Sequence, residues 1–220
     1  PGPLTARQEW LIDQFILRQG RTIFVIDPAA KTALSGAMFS ATGSLARSSL
    51  GRLGEAWGVT LAPQAVADAA NALTVPVDAG NGRVEEVAHP LFVGVPAETM
   101  SREDPITADL MRVINFGAPG ALIAGDLPAG ESFAPLITTG PSPSYIDPAS
   151  AARDMGAAEV LQSYMTEGAP LVIAARLSGS LSTAFPGGAP PMDEPAGEAD
   201  AEAARAEAAQ LPPHIDASET

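Results

Sequence analysis

Few residues in this chain have the means to do chemistry. Cysteine is absent and only two histidines occur, so disulfides, thiolate metal ligands and cysteine nucleophiles are removed together. His89 stands in Ala88-His89-Pro90. With a serine and an aspartate it could complete a hydrolytic triad, but no Gly-x-Ser-x-Gly elbow accompanies it. A hydrogen-bonded loop histidine is the default reading. The body offers no paired acid–histidine spacing of the kind a metal site needs, so neither a metal nor a cofactor is expected.

Backbone amides and hydroxyls are the other resource. Ser35-Gly36-Ala37-Met38-Phe39-Ser40-Ala41-Thr42-Gly43-Ser44 lies between a strand-like and a helix-like segment, where α/β folds cradle phosphates. Ser40 and Thr42 are its candidate ligand-binding hydroxyls. Neither Gly-Lys-Ser/Thr nor Gly-x-Gly-x-x-Gly is present there, and a surface loop is the simpler explanation. Asp27, at the end of Thr22-Ile23-Phe24-Val25-Ile26, sits where α/β sheets place ligands, or else satisfies amides of the following turn. Thr138, Thr139 and Ser142 belong to a hydroxyl-rich run, Thr138 to Ser144, at another strand end. Turn formation by Ser and Pro accounts for that run without a ligand.

The elements that must position these residues follow from periodicity and punctuation. Thr5-x-x-Gln8 has capping-box spacing and predicts a helix over 5–19, with Leu11, Ile12, Phe15 and Ile16 on one face and Gly20 beyond its end. The apolar run 22–26 predicts a strand buried on both faces. Ser44 caps a second helix through Ala46, Leu50, Leu53 and Trp57, closed by Gly58 and followed by a strand from Val59. Leu73–Val77 and Arg83–Val87 flank Asn81-Gly82, a hairpin signal, and Pro76 places that hairpin at a sheet edge. Leu91–Val95 predicts a further strand. Asp104-Pro105 opens a helix with Ile106, Leu110, Val113 and Ile114 inward, ending at Gly117. Strands at 121–124, 133–137 and 170–175 and a helix from Ser150 to Glu167 complete the order. The alternation predicts an α/β fold. Its expected form is layered, with a mostly parallel sheet covered by helices and an inserted β-hairpin.

The chain has 220 residues, 46% hydrophobic, with 12 Lys and Arg against 26 Asp and Glu and a net charge of −14. The apolar content opposes wholesale disorder, and the charge opposes nucleic-acid binding. No apolar stretch approaches the roughly 20 residues of a membrane span. Residues 192–220 hold eight acids against Arg205 alone. The division is therefore an α/β body over 1–186 and an acidic, Ala/Pro-rich flexible linker over 187–220. An abrupt start at Pro1 reads as a fragment of a larger protein.

Four segments in order, Leu11–Pro28, Leu53–Leu61, Pro135–Thr139 and Val172–Pro186, resemble the auxiliary domain of gliding-motility-type ABC transporters. That family is itself similar to a domain of intraflagellar transport proteins. The resemblance spans about residues 8 to 186. It implies a layered, Rossmann-like (flavodoxin- or amidotransferase-like) α/β fold, and a non-enzymatic periplasmic or extracytoplasmic domain of an inner-membrane protein. Its partners would be a permease and an ATPase, with membrane attachment through segments outside this fragment, and it acts by protein contact or by capture of an unknown small ligand. Two readings stand beside it: a degenerate amidotransferase-like or Ser/His hydrolase using His89, and a pure scaffold.

Overall fold

The computed structural model describes residues 4–29, 47–78, 82–152, 155–191, 211 and 213–218. Helix α1 (Ala6–Leu17) begins as its sequence dictates. The Gln8 N–H donates to the Thr5 hydroxyl and the Thr5 N–H to the Gln8 side chain, which closes the capping box. The helix is left through Gln19, whose φ of 64° takes the left-handed role expected of Gly20. Its buried face is rotated from the expected one. Trp10, Asp13, Gln14 and Leu17 point inward, at i, i+3, i+4 and i+7, while Phe15 is 57% exposed.

Helix α2 (Gly51–Ala56) is followed by β1 (Val59–Ala67), β2 (Ala72–Asp78), β3 (Val84–Val95), β4 (Ile114–Gly117), β5 (Gly120–Ala124), β6 (Glu131–Thr138) and β7 (Ser144–Ile146). Short helices α3 (Pro148–Ala152) and α4 (Ala157–Gln162) precede β8 (Val172–Gly179). Between α2 and β1 the chain turns at Gly58, φ 64°. A Cβ there would sit 2.6 Å from the Asp126 carbonyl oxygen, so a side chain is excluded on two counts.

The strands form three small sheets, ordered β5-β1-β7, β2-β3-β4 and β6-β8. Every pair is antiparallel, with Thr60 opposite Ile123, Val66 opposite Tyr145, Val75 opposite Val87, Val93 opposite Phe116 and Phe133 opposite Leu177. This overturns the expected layered, Rossmann-like parallel sheet. Apolar runs signal burial on both faces but carry no information on strand direction. Only β2 and β3 are joined by a short turn, which imposes antiparallel pairing; the other pairs bring together strands distant in sequence, whose direction no local pattern encodes. The β2–β3 hairpin stands as expected, and β2 is an edge strand, where Pro76 forfeits no ladder bond from a central position. Leu91–Val95 is the second half of the long β3 rather than a strand of its own.

Four further helix and strand expectations fail wholly or in part. The stretch 22–26 has no regular secondary structure and joins no sheet among the described residues, and Ile23 and Val25 are 91% and 90% exposed. The segment after Asp104 is a series of turns leading into β4. The Arg102 guanidinium takes the carbonyls of Ala97, Ala108 and Leu110, and Asp104 Oδ1 accepts the Ile106 N–H. Those bonds settle the backbone without an i→i−4 ladder. The helix expected from Ser150 to Glu167 is split, because Gly156 adopts an extended conformation (ψ 151°) in its middle. Of the described part of the helix expected from Ser44, 51–56 is helical, and Ser44 and Ala46 lie outside the described residues.

Three main apolar clusters hold these parts together. One joins β1, β3, β7, α3 and α4 through Ala65, Leu91, Ile146, Met155 and Val160. A second lies between β3 and β6, around Val93, Val95, Met100, Leu136 and Ile137. The third gathers both ends of the described chain. Trp10, Leu17, Leu53, Trp57, Leu181 and Phe185 form its centre, with Phe24, Leu211 and Ile215 packed against it. No helix among the described residues is long and apolar enough to cross a membrane.

Glu131, at the start of β6, is an electrostatic liability of this packing. Neither carboxylate oxygen is reached by solvent or by a hydrogen bond of normal geometry among the described residues. Burial pushes its pKa up, against a weaker opposing pull from the Ser182 backbone. A raised carboxyl favours the fold while it is protonated, and that contribution is lost as the pH rises through the folded-state value. Glu131→Gln is therefore expected to melt above the wild type at pH 7, with the difference shrinking toward about pH 4, where ordinary glutamates protonate. Melting curves at both pH values check this, and an unchanged difference would refute it.

Candidate functional site

Two polar assemblies stand out, one at the ends of β1 and β6 and one on α1. The first is centred on Asp68, which is fully buried. Its Oδ1 accepts the N–H groups of Ala70 (3.0 Å) and Asn71 (3.3 Å). Its Oδ2 accepts the Gly140 N–H at 2.7 Å and Asn71 Nδ2 at 2.8 Å. A carboxylate so occupied is a tie between two strand ends. Gly140 is needed there, because a Cβ would lie 2.8 Å from Asn71 Nδ2. Beside it the Tyr164 hydroxyl accepts the Ala69 N–H (3.0 Å) and donates to the Ser142 carbonyl (2.7 Å). Burial, aided by the nearby Asp68 charge, raises the Tyr164 pKa against the pull of the Ala69 backbone.

Thr139 and Ser142 join this knot while Thr138 bonds elsewhere, each through a contact that secures backbone. Thr138 Oγ1 donates to the Thr99 carbonyl (3.3 Å). Thr139, 1% exposed, donates to the Gly140 carbonyl and accepts the Leu171 N–H, both at 2.9 Å. Ser142 contributes its carbonyl to Tyr164. Asp27 is engaged elsewhere: its Oδ1 accepts the Ala29 N–H (2.8 Å), and its own N–H donates to Ser48 Oγ (2.8 Å). Burial raises its pKa, opposed by the Ala29 N–H. Ser40 and Thr42 lie outside the described residues. His89 is not in a loop but in β3, 6% exposed. Its Nε2 meets the Met155 carbonyl at 2.8 Å and its Nδ1 accepts the Leu91 N–H at 3.3 Å. Phe92 packs edge-on against the ring at 5.1 Å. Both nitrogens thus serve main-chain groups.

The second assembly was not anticipated. Asp13, also fully buried, accepts from Thr183 Oγ1 (2.7 Å) and the Ala184 N–H (2.9 Å), fixing the 181–186 segment against α1. Trp57 Nε1 holds the same segment by donating to the Ser182 carbonyl (3.0 Å). Trp10 Nε1 donates to His214 Nδ1 (3.1 Å), and His214 Nε2 faces Asp216 Oδ1 at 3.2 Å. An open cavity of about 500 Å³ adjoins it, lined by Arg52, Glu55, Ala56, Thr183, Ala184 and Pro186. The signal was available in sequence: Asp13 and Gln14 fall on the stripe defined by Trp10 and Leu17, and polar residues at core spacing must be paired. Asp68 gave less warning, because Asp-Ala-Ala-Asn reads as an ordinary turn. No group of three or more His, Asp or Glu side chains among the described residues could hold a metal ion.

A family model described as an ABC-type uncharacterized transport system matches residues 1–210. No curated protein and no solved structure matches the chain.

Proposed function

The chain belongs to this family of ABC-type transport-system components, and on that premise we propose that it is a non-enzymatic extracytoplasmic auxiliary domain, of the gliding-motility type, acting by protein contact. The family match over residues 1–210 is the observation that carries the reading. The partners in this proposal are a permease and an ATPase subunit, and the parent protein is anchored in the membrane. Supporting a recognition role, the groups that could have served chemistry are spent on structure: Asp68 on three backbone N–H groups and the Asn71 side-chain amide, His89 on two backbone groups. The surface around α1 and 181–186 combines an open cavity with exposed charge from Arg52 and Glu55, which suits contact with another polypeptide.

The 220 residues contain no cysteine, so a thiol placed in this domain can be read against the unsubstituted parent as background. Glu85 is exposed on β3. A Glu85→Cys variant of the native parent protein is expected to react with a membrane-impermeant maleimide in intact cells. Labelling only after lysis would place the domain on the cytoplasmic side and overturn the extracytoplasmic assignment. Genes for an ATPase and a permease next to the parent gene would support the proposed partners.

A further inference from the structure

Residues 213–218 lie across α1 and the 181–183 segment, held almost entirely by their main chain. The Gln14 side-chain amide closes a two-point clamp on Ile215: the Ile215 N–H donates to Oε1 (2.8 Å) and Nε2 donates to the Ile215 carbonyl (2.9 Å). Arg18 donates to the Pro213 carbonyl. The chain then runs antiparallel to 181–183, with the Thr183 N–H on the Asp216 carbonyl (2.8 Å), the Ser218 N–H on the Leu181 carbonyl (2.9 Å) and a bridge between Ser182 and Ala217. Side chains enter at three points only. His214 accepts from Trp10, Ser218 Oγ accepts the Leu181 N–H, and Ile215 packs into the tryptophan cluster. This is the arrangement of strand addition, in which backbone bonds supply affinity and a few pockets supply selectivity.

The wall of this cleft is fastened by groups that belong to neither Pro213 nor its successors. Asp13 fixes Thr183 and Ala184, and Trp57 fixes Ser182. The cleft is therefore built independently of its occupant. We propose that it is a docking site for an extended peptide, filled in cis by residues 213–218 and exchangeable for a segment of a partner polypeptide. That segment would carry a branched aliphatic residue in the place of Ile215, a hydrogen-bond acceptor one position before it and a hydroxyl three positions after. A tethered occupant acts at an effective concentration on the order of millimolar, so a partner held nearby in an assembly competes on comparable terms. The inference deepens the protein-contact reading by naming the surface, and rests on that reading only for the source of the partner.

The test uses the full chain and a fluorescein-labelled peptide of sequence 211–218, followed by fluorescence anisotropy. Ile215→Pro removes the N–H given to Gln14 and vacates the cleft. The peptide is expected to bind this variant at least tenfold more tightly than the wild type, and adding Gln14→Ala is expected to abolish the gain. Equal binding to wild type and variant, binding indifferent to Gln14, or no binding to either would overturn the proposal. Should Ile215→Pro fail to fold by circular dichroism, His214→Ala takes its place as a milder release, with a smaller gain of the same sign expected and no gain counting against the site. Failure here leaves the transport-system assignment untouched, because that rests on the family match over residues 1–210, and maleimide labelling at Glu85→Cys reads the location separately.

Discussion

Asp68→Ala is expected to destabilise the protein by about 3 kcal/mol or more, because several buried or half-buried N–H groups lose a charged acceptor at once. For a chain of this size that corresponds to a melting temperature lower by roughly 6–12 °C. The Gly140 N–H suffers most, being buried on a segment 72 residues away in sequence with Asp68 Oδ2 as its acceptor. Asp68→Asn keeps the shape but turns one acceptor into a donor facing either Gly140 or Asn71, so it should fall between the two. Thermal and urea denaturation check the series. A loss below about 1 kcal/mol for the alanine variant would mean that the knot does not tie the strand ends.

Trp10→Ala should be comparably severe. The side chain is 1% exposed at the centre of the cluster that joins α1, α2, the 181–185 segment and Ile215. Removing a buried tryptophan leaves a large cavity and costs about 3–5 kcal/mol. The Arg7 guanidinium, 4.8 Å above the indole, loses its ring at the same time. Trp10→Phe retains most of the packing and gives up the bond to His214, a change of about 1 kcal/mol. Trp57 is the one tryptophan left in either variant, so its emission reports the unfolding transition directly. An alanine variant that unfolds at the wild-type urea midpoint would show that the cluster repacks without it.

What the sequence reveals and conceals follows a physical division. Signals complete within a few residues are realised: the Thr5–Gln8 capping box, the hairpin with Pro76 on its edge strand, and the apolar β5, β6 and β8. Features that depend on distant pairing are not. An apolar run such as 22–26 has the composition of a buried strand, yet β1 finds its neighbours in β5 and β7, and the run joins no sheet. The stretch after Asp104 has helical spacing, but Arg102 competes for the carbonyls a helix would use. The polar assemblies divide the same way. Asp27 meets its acceptor role two residues on, as its turn position suggested. Asp68 and Asp13 act on partners 72 and 170 residues away, which no local pattern encodes. Acid stability follows from similar contacts. The Ile106 N–H first, and then Arg176 at 2.6 Å, hold the Asp104 pKa below the ordinary aspartate value. The stability it contributes is present above that ordinary value and fades as the pH falls through the folded-state one.

The bond between Gln14 and Ile215 spans 201 positions, and this has a bearing on biosynthesis. The first helix leaves the ribosome long before the residues that cover it. At about 5–20 residues per second the interval is on the order of 10–40 s. Leu53 and Trp57 follow Trp10 closely, but Leu181, Phe185 and Ile215 complete the cluster only late, and closing so long a loop is slow. The tryptophan cluster is thus assembled in two stages, a local one with α2 and a late one that waits for the far end of the described chain.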